Sequence, residues 1–240
     1  MTTQAKVDLQ QRAVDRVVDS LTTREGGGFL VHRPFPTAEL SLFDPFLLLD
    51  EMGPVVYGPG EAVGAPDHPH RGFETVTYMI DGTFEHRDSI GGGGRISDGD
   101  TQWMTAGSGV LHKEGPSEAA QRSGGRVHGL QLWVNLPAAE KMRSPRYQDL
   151  RADANAQFHA DGATVRVIAG RLFHLDGPGN TFTPISYAHV TLQEGSSVAT
   201  EVPDGHRVLA YPMVGAFHSA GTQVDEGIMA VYADGTNRTI

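Results

Sequence analysis

Three side chains of the types that bind transition metals lie close together in the segment DHPHRGFETVTYMIDGTFEHRD, from Asp67 to Asp88. His68 and His70 are separated by a single residue, and Glu74 follows shortly after them. Because successive side chains of a β-strand alternate between its two faces, one strand over this segment would place all three on the same face. The spacing therefore predicts either side chains that bind a ligand together or unrelated residues of an exposed strand.

A second pair of the same kind occurs in WMTAGSGVLHKEGP, from Trp103 to Pro116, where His112 and Glu114 again share a strand face. The chain has no cysteine, so any metal ion must be held by imidazoles and carboxylates. That donor set suits iron, manganese, nickel, copper or zinc, whereas calcium and magnesium prefer oxygen ligands. Two such pairs on neighbouring strands would supply four protein ligands. An octahedral ion would then keep open positions for O2 and a chelating substrate, whereas a tetrahedral zinc ion would be fully coordinated and purely structural.

The composition excludes several classes of protein. The 240 residues suffice for one large domain or two small ones, and the 39% hydrophobic and 20% charged residues indicate a globular chain. A net charge of −10 without a run of Lys or Arg argues against direct binding of nucleic acid. No apolar run approaches the roughly 18 residues of a membrane span, and the N-terminus lacks the apolar core of a secretory signal. We therefore expect a cytoplasmic protein without membrane contact.

Short apolar segments between glycines and prolines predict an all-β fold. The strand-sized segments rich in β-forming residues are 29–35, 74–80, 83–90, 128–136, 164–170 and 206–214. Asp81-Gly82 predicts a tight hairpin turn, and many short strands with turn signals indicate a sandwich or a barrel. Residues 137–145 predict one or two helical turns, residues 89–100 predict a flexible loop, and residues 4–21 predict either a helix or an arm that leads into a strand.

An internal repeat divides the chain. Residues 68–84 align without a gap with residues 201–217, which places Tyr78, Gly82 and Phe84 on Tyr211, Gly215 and Phe217. The repeat predicts two halves, 1–137 and 138–240, with a polar connector at the start of the second. The ligand-type residues are not duplicated, because His68, His70 and Glu74 fall on Glu201, Pro203 and Arg207. The second half is thus expected to have lost the site, and its closing strands are expected to be missing, since the partner of His112 would fall beyond Ile240.

The other candidate residues receive ordinary interpretations. His128 is expected to pair with backbone groups, and Trp103, Trp133, Phe73 and Met104 are interpreted as core or pocket lining. The remaining histidines are interpreted as surface or satisfied core residues: His32, His86, His159, His174, His189, His206 and His218.

Four segments together resemble the pirin family of the cupin superfamily: DPFLLLDEM (44–52), HPHRGFETVTYMIDGTFEHRDS (68–89), GDTQWMTAGSGVLHKE (99–114) and HGLQLWVNLP (128–137). The resemblance implies an all-β bicupin, in which one chain forms two jelly-roll-type β-barrels joined by a short helical connector. It implies that the first barrel, residues 1–137, holds a metal, usually iron, and that the cupin-like barrel of residues 138–240 holds none. The implied ligands are His68, His70, His112 and Glu114, with Glu74 as an alternative ligand or as a carboxylate near the ligands.

The resemblance also implies an activity of the quercetin 2,3-dioxygenase type. In such an enzyme Glu114 would be both a ligand and the base that takes the flavonol hydroxyl proton, and O2 would cleave the ring with loss of carbon monoxide. Fe(II) is the expected metal, while manganese, nickel, copper and zinc suit the same residues. Two alternatives stay open. One is a redox-sensing regulatory protein that binds a transcription regulator or a metabolic enzyme, and the other is a structural zinc site in a barrel without activity.

Overall fold

A computed structural model describes residues 11–160, 162–235 and 239–240, and β-strands dominate it. The strands before Pro137 are β1 (Val14–Asp19), β2 (Leu21–Glu25), β3 (Phe29–Phe35), β4 (Phe46–Tyr57), β5 (Ala65–His70), β6 (Phe73–Asp81), β7 (Phe84–Asp88), β8 (Gly93–Ile96), β9 (Thr101–Thr105), β10 (Val110–Pro116) and β11 (Gly125–Asn135). Helix α1 (Glu118–Ser123) lies between β10 and β11.

The strands after Pro137 are shorter: β12 (Arg146–Leu150), β13 (Ala156–Ala160), β14 (Ala163–Ala169), β15 (Arg171–Leu172), β16 (Leu175–Asp176), β17 (Tyr187–Leu192), β18 (Leu209–Ala210), β19 (Phe217–Ser219), β20 (Thr222–Val224) and β21 (Ile228–Tyr232). Turns of 3-10 helix lie at Ala138–Glu140, where the short helical connector is predicted, and at Ala152–Ala154. Within the described ranges no helix is long and apolar enough to cross a membrane.

Two facing sheets build the first barrel. One has seven strands in the order β12-β9-β6-β11-β4-β3-β2, and the other has four in the order β5-β10-β7-β8. Side chains of the two sheets meet in the barrel interior. Gln131 on β11 donates a hydrogen bond to Glu114 on β10, and Gln102 on β9 contacts His86 on β7. The four-stranded sheet therefore covers one face of the larger sheet, and it carries both strands on which the predicted ligand histidines lie.

The other face of the seven-stranded sheet forms the main hydrophobic core. Side chains alternate along each strand, so Tyr78 and Leu132 point away from the barrel interior. They pack with Trp103 and with Ile168 and Met229 of the second half, and all five are at least nine-tenths buried. Burial of each such side chain contributes about 1.5–3 kcal/mol. The two halves of the chain thus share one core.

Strand pairing crosses the predicted boundary after Pro137 in both directions. β12 extends the sheet of the first barrel by pairing with β9, and β1 pairs with β21 in a second-half sheet of order β1-β21-β18. The described part of the second half also contains a sheet of order β13-β14-β17 and the hairpins β15-β16 and β19-β20. The division at residue 137 stays a prediction, and the strand network does not follow it.

The hairpin predicted at Asp81-Gly82 is wrong. β6 pairs with β11 and β9, whereas β7 pairs with β10 and β8, so the two strands belong to different sheets. Gly82 has a φ of 99° and donates its N–H to Asp98 Oδ1 over 2.7 Å. The turn therefore carries the chain from one sheet to the other.

Three other local predictions change in part. Within residues 4–21, positions 4–10 lie outside the described residues, while β1 forms where the helical alternative was expected. In the segment 206–214 only Leu209–Ala210 pairs as a strand. The loop 89–100 includes strand β8, and the Asp88 carboxylate orders its first turn by accepting the N–H groups of Ile90 and Gly92 over 2.9 and 2.6 Å.

Candidate metal centre

Three of the four predicted metal ligands converge on the inner face of the four-stranded sheet. β5 and β10 are antiparallel neighbours, with His68 directly opposite His112 and His70 opposite Val110. The Nε2 atoms of His68 and His112 lie 3.1 Å apart, and one ring nitrogen from each of the three histidines lies within 4.8 Å of the others. The two strands therefore bring together imidazoles that are far apart in sequence.

The local environment favours the neutral form of His70 and His112, the form that metal ligation requires. Burial lowers the pKa of His70 to about 4, with a further contribution from the nearby His68. Burial also lowers the pKa of His112 to about 3, and His70 and His68 add to this effect. His68 Nδ1 donates to the Pro66 carbonyl oxygen over 2.7 Å, which leaves Nε2 as the ring nitrogen that faces His112.

The histidine donor set fits a transition-metal ion. Two nitrogen ligands at right angles on an ion with metal–nitrogen distances of about 2.1 Å would lie about 3 Å apart. The separation of 3.1 Å between His68 Nε2 and His112 Nε2 agrees with that value. The hydrogen bond from His68 to Pro66 is of the kind that orients ligating histidines in metal proteins. The cluster could thus hold a metal ion without rearrangement of these two rings.

Glu114 lies beside the histidine cluster but is not part of it among the described residues. It follows His112 on the same face of β10 and lies opposite His86 on β7. Its Oε1 accepts a hydrogen bond from Gln131 Nε2 over 2.8 Å. Burial raises the pKa of Glu114, while His68, Thr77 and Gln131 act in the opposite direction. The carboxylate is therefore held within the barrel next to the three imidazoles.

Glu74 is not on the face that carries His68 and His70, so this part of the one-strand prediction is wrong. β5 ends at His70, a turn at Arg71-Gly72 intervenes, and Glu74 belongs to β6. There it points toward the core face, where its Oε1 accepts a hydrogen bond from Thr105 Oγ1 over 2.6 Å. Burial raises its pKa. Glu74 therefore does not reach the histidine cluster.

Two aromatic side chains form a wall beside the cluster. The rings of Phe73 and Trp133 lie 4.6 Å apart, and each lies 5.2 Å from the ring of His70. Both side chains are half-buried. Their predicted role as pocket lining agrees with this position, whereas Trp103 and Met104 are fully buried in the core.

Several polar residues of the barrel interior had no distinguishing signal in the sequence. His86, interpreted as an ordinary histidine, is 4% exposed and contacts Gln102 through Nδ1, and the Tyr147 ring stacks on it. Burial lowers the pKa of His86. Gln131 joins Glu114 to the opposite sheet. These contacts depend on the packing of the two sheets, which residue spacing does not reveal.

His128 does not pair with backbone groups as predicted. Its Nε2 lies 2.7 Å from Glu51 Oε1 on the core face of the seven-stranded sheet, and both side chains are almost fully buried. The Tyr211 hydroxyl of the second half donates to Glu51 Oε2 over 2.7 Å. This interface network, formed by Glu51, His128 and Tyr211, joins the two halves and lies away from the histidine cluster.

Comparison with known proteins agrees with the fold. The family model described as Pirin matches residues 28–134. A pirin-like protein from Solanum lycopersicum is 40% identical over 204 residues, which cover 85% of this chain and 67% of that protein. A crystal structure of quercetin 2,3-dioxygenase from Acinetobacter baumannii has 36% identity and a TM-score of 0.89, with 95% of this chain and 81% of that chain covered.

A more distant structure supports the architecture alone. A variant of oxalate decarboxylase from Bacillus subtilis has 11% identity and a TM-score of 0.55, with 95% of this chain and 75% of that chain covered. The chain spans 62% to 67% of the length of the curated relatives that it matches. On the combined evidence of sequence identity, strand arrangement and the histidine cluster, the chain belongs to the pirin family and has an all-β bicupin fold.

Proposed function

We propose that the protein is a metal-dependent dioxygenase that cleaves flavonols such as quercetin with O2. The observation that carries the proposal is the convergence of three imidazoles beside a half-buried carboxylate inside the barrel. The chain has this arrangement in a fold that matches a quercetin 2,3-dioxygenase along 95% of its length.

The metal, preferably Fe(II), is proposed to be held by His68, His70, His112 and Glu114. The donor set of three imidazoles and one carboxylate suits iron and equally manganese, nickel, copper or zinc. When bound, such an ion supplies Lewis-acid polarisation of substrate oxygens and the electronic coupling to O2 that organic groups lack.

Glu114 is the proposed general base. A flavonol carries an acidic hydroxyl beside a carbonyl group, and removal of that proton makes the ring electron-rich toward O2. A buried carboxylate with a raised pKa holds a proton more readily than an exposed one, which suits acceptance of the hydroxyl proton. The hydrogen bond from Gln131 orients the carboxylate before the substrate arrives.

The aromatic wall of Phe73 and Trp133 is proposed to hold the planar rings of the substrate. Aromatic rings attract one another in offset-stacked and edge-to-face arrangements, with about 0.5–1.5 kcal/mol beyond their burial. Since both side chains contact the ring of His70, a flat substrate against them would lie next to the proposed metal ligands. The wall also excludes water from one side of the centre.

The decisive experiment combines elemental analysis with O2 uptake on quercetin. We expect about one metal ion per chain in the wild-type protein, together with O2 consumption, and loss of both in His68→Ala/His70→Ala. The control His159→Ala/His218→Ala removes two exposed histidines and should keep both. Metal without O2 uptake would contradict the enzymatic proposal and favour the regulatory alternative with a protein partner. Stoichiometric zinc with no iron would favour the structural site.

A further inference from the structure

His86 lies next to the candidate metal centre, yet the proposed reaction does not use it. It is on β7 directly opposite Glu114 on β10, and directly opposed residues of antiparallel strands project to the same side. The two side chains lie close together with Thr77, Phe84 and Gln102, and the gap between them is too narrow for a water molecule. The imidazole and the carboxylate thus border the same part of the barrel interior.

Gln102 determines which ring nitrogen of His86 carries the proton. The Gln102 Nε2 contacts His86 Nδ1 and lies 3.3 Å from Asp149 Oδ1. Because a carboxylate only accepts hydrogen bonds, the amide must present its NH2 group on this side, and the second hydrogen is then donated to His86 Nδ1. A neutral imidazole that accepts at Nδ1 carries its proton on Nε2.

The resulting Nε2–H group is a rigid and unused donor. Among the described residues it has no hydrogen-bond partner, although it is fully buried. A buried donor without a partner destabilises the folded protein, so its retention calls for an acceptor in the working protein. The ring cannot turn away, since Tyr147 stacks on it with 4.8 Å between centroids and Gln102 holds the other nitrogen. Of the acceptors that line this part of the barrel, the Glu114 carboxylate is the one on the strand position directly opposite His86.

We propose that His86 is a positioning residue for Glu114, held by Gln102 as the Nε2–H tautomer so that it donates a hydrogen bond to the Glu114 carboxylate in the metal-bound protein. The inference rests on the proposed metal centre. With Gln131 as a donor from one sheet and His86 as a donor from the other, the carboxylate keeps a single orientation beside the histidine cluster.

The tautomer is measured directly by long-range ¹H–¹⁵N correlation spectra of metal-free protein with ¹⁵N-labelled histidine. We expect the Nε2–H pattern for His86, and we expect a mixture of tautomers in Gln102→Leu, which lacks the donor to Nδ1. An Nδ1–H pattern in the wild-type protein, or an unchanged pattern in Gln102→Leu, overturns the assignment.

Metal affinity tests the consequence for Glu114, with Co(II) as the probe and a chelator as competitor. His86→Gln places an amide NH2 close to the former Nε2, whereas His86→Asn places it close to Nδ1 and His86→Phe keeps only the stacked ring. We expect the Asn and Phe variants to bind Co(II) about 10- to 100-fold more weakly and to shift its visible spectrum, and the Gln variant to stay within about threefold of wild type.

Equal Co(II) affinities and spectra in all four proteins would overturn the positioning role. Unfolding temperatures measured without metal separate this role from a structural one, because a variant that merely packs badly loses stability without a change in the Co(II) spectrum. If the wild-type protein binds no Co(II), the proposed metal centre fails, and the tautomer spectra still decide whether His86 is the Nε2–H donor.

Discussion

The interface network of Glu51, His128 and Tyr211 allows a quantitative prediction for Tyr211→Phe. The Tyr211 hydroxyl donates to the buried Glu51 carboxylate over 2.7 Å, and a hydrogen bond to a charged group contributes about 1.5–3 kcal/mol. The variant keeps the ring and leaves Glu51 with its bond to His128. We therefore expect Tyr211→Phe to lower the free energy of unfolding by about 2 kcal/mol. This is less than the roughly 3–5 kcal/mol that is lost when a buried charge loses its only partner.

In thermal terms the expected change is a few degrees. An unfolding entropy of about 2.1 cal/mol/K per residue gives about 0.5 kcal/mol/K for 240 residues, so Tm should fall by about 4 °C. The assay is guanidinium unfolding of metal-free protein, followed by tryptophan fluorescence. Tyr57→Phe is the matched control, since no hydrogen bond of its half-exposed hydroxyl is seen among the described residues.

A double-mutant cycle of Tyr211→Phe with Glu51→Gln measures the interaction energy between these two side chains. We expect the effect of Tyr211→Phe to shrink by about 1 kcal/mol in the Glu51→Gln background, because the charged acceptor is then absent. Tyr211→Phe within about 0.5 kcal/mol of wild type, as for ordinary surface changes, would refute the view that this carboxylate joins the two halves. Metal content should not change, since the network lies on the opposite face of the sheet from the histidine cluster.

Three further predictions address the site and the pH dependence. Glu114→Gln should slow O2 consumption with quercetin by about 10²- to 10⁴-fold, the usual contribution of a general base, and a loss below about tenfold would remove Glu114 from that role. A metal added at about 100 times its Kd should raise the unfolding free energy by about 2.7 kcal/mol and Tm by about 5 °C in calorimetry, and His112→Ala should abolish the shift. Burial lowers the pKa of His189 to about 4. Between pH 6.5 and about 4, this histidine is therefore protonated in the unfolded chain but not in the folded chain, and the stability of the fold decreases as pH falls. His189→Asn keeps a partner for the Tyr78 hydroxyl and should recover about 2–3 kcal/mol of that loss in unfolding experiments at pH 4 against pH 7; an unchanged pH slope would contradict the assignment.

The histidine cluster was predictable because strand periodicity is a local property. His68 and His70 share a face through spacing alone, and so do His112 and Glu114. Their meeting required that β5 pair with β10, which the sequence indicated only through family resemblance. The ligand roles themselves stay predictions.

Other features depended on where strands break and how sheets pack. Glu74 fits the periodicity of His70 only if the strand continues, and the turn at Arg71-Gly72 ends it. The Asp81-Gly82 signal was a true turn, yet turn chemistry does not state which strands pair afterwards. His86 acquires its position from β7–β10 pairing and from contacts to β9 and β12, and none of these is encoded in its neighbours.

The pairing of β1 with β21 has a consequence for the order of events during synthesis. Val18 and Met229 are paired although almost the whole chain separates them, and closing a loop of that length costs about 5 kcal/mol in chain entropy before any contact compensates it. During synthesis β1 leaves the ribosome early and β21 leaves it late. The backbone hydrogen-bonding groups of β1 that pair with β21 therefore stay unpaired while the first barrel folds. We therefore expect folding to end with the capture of β1, at the slow rate that such non-local pairing imposes.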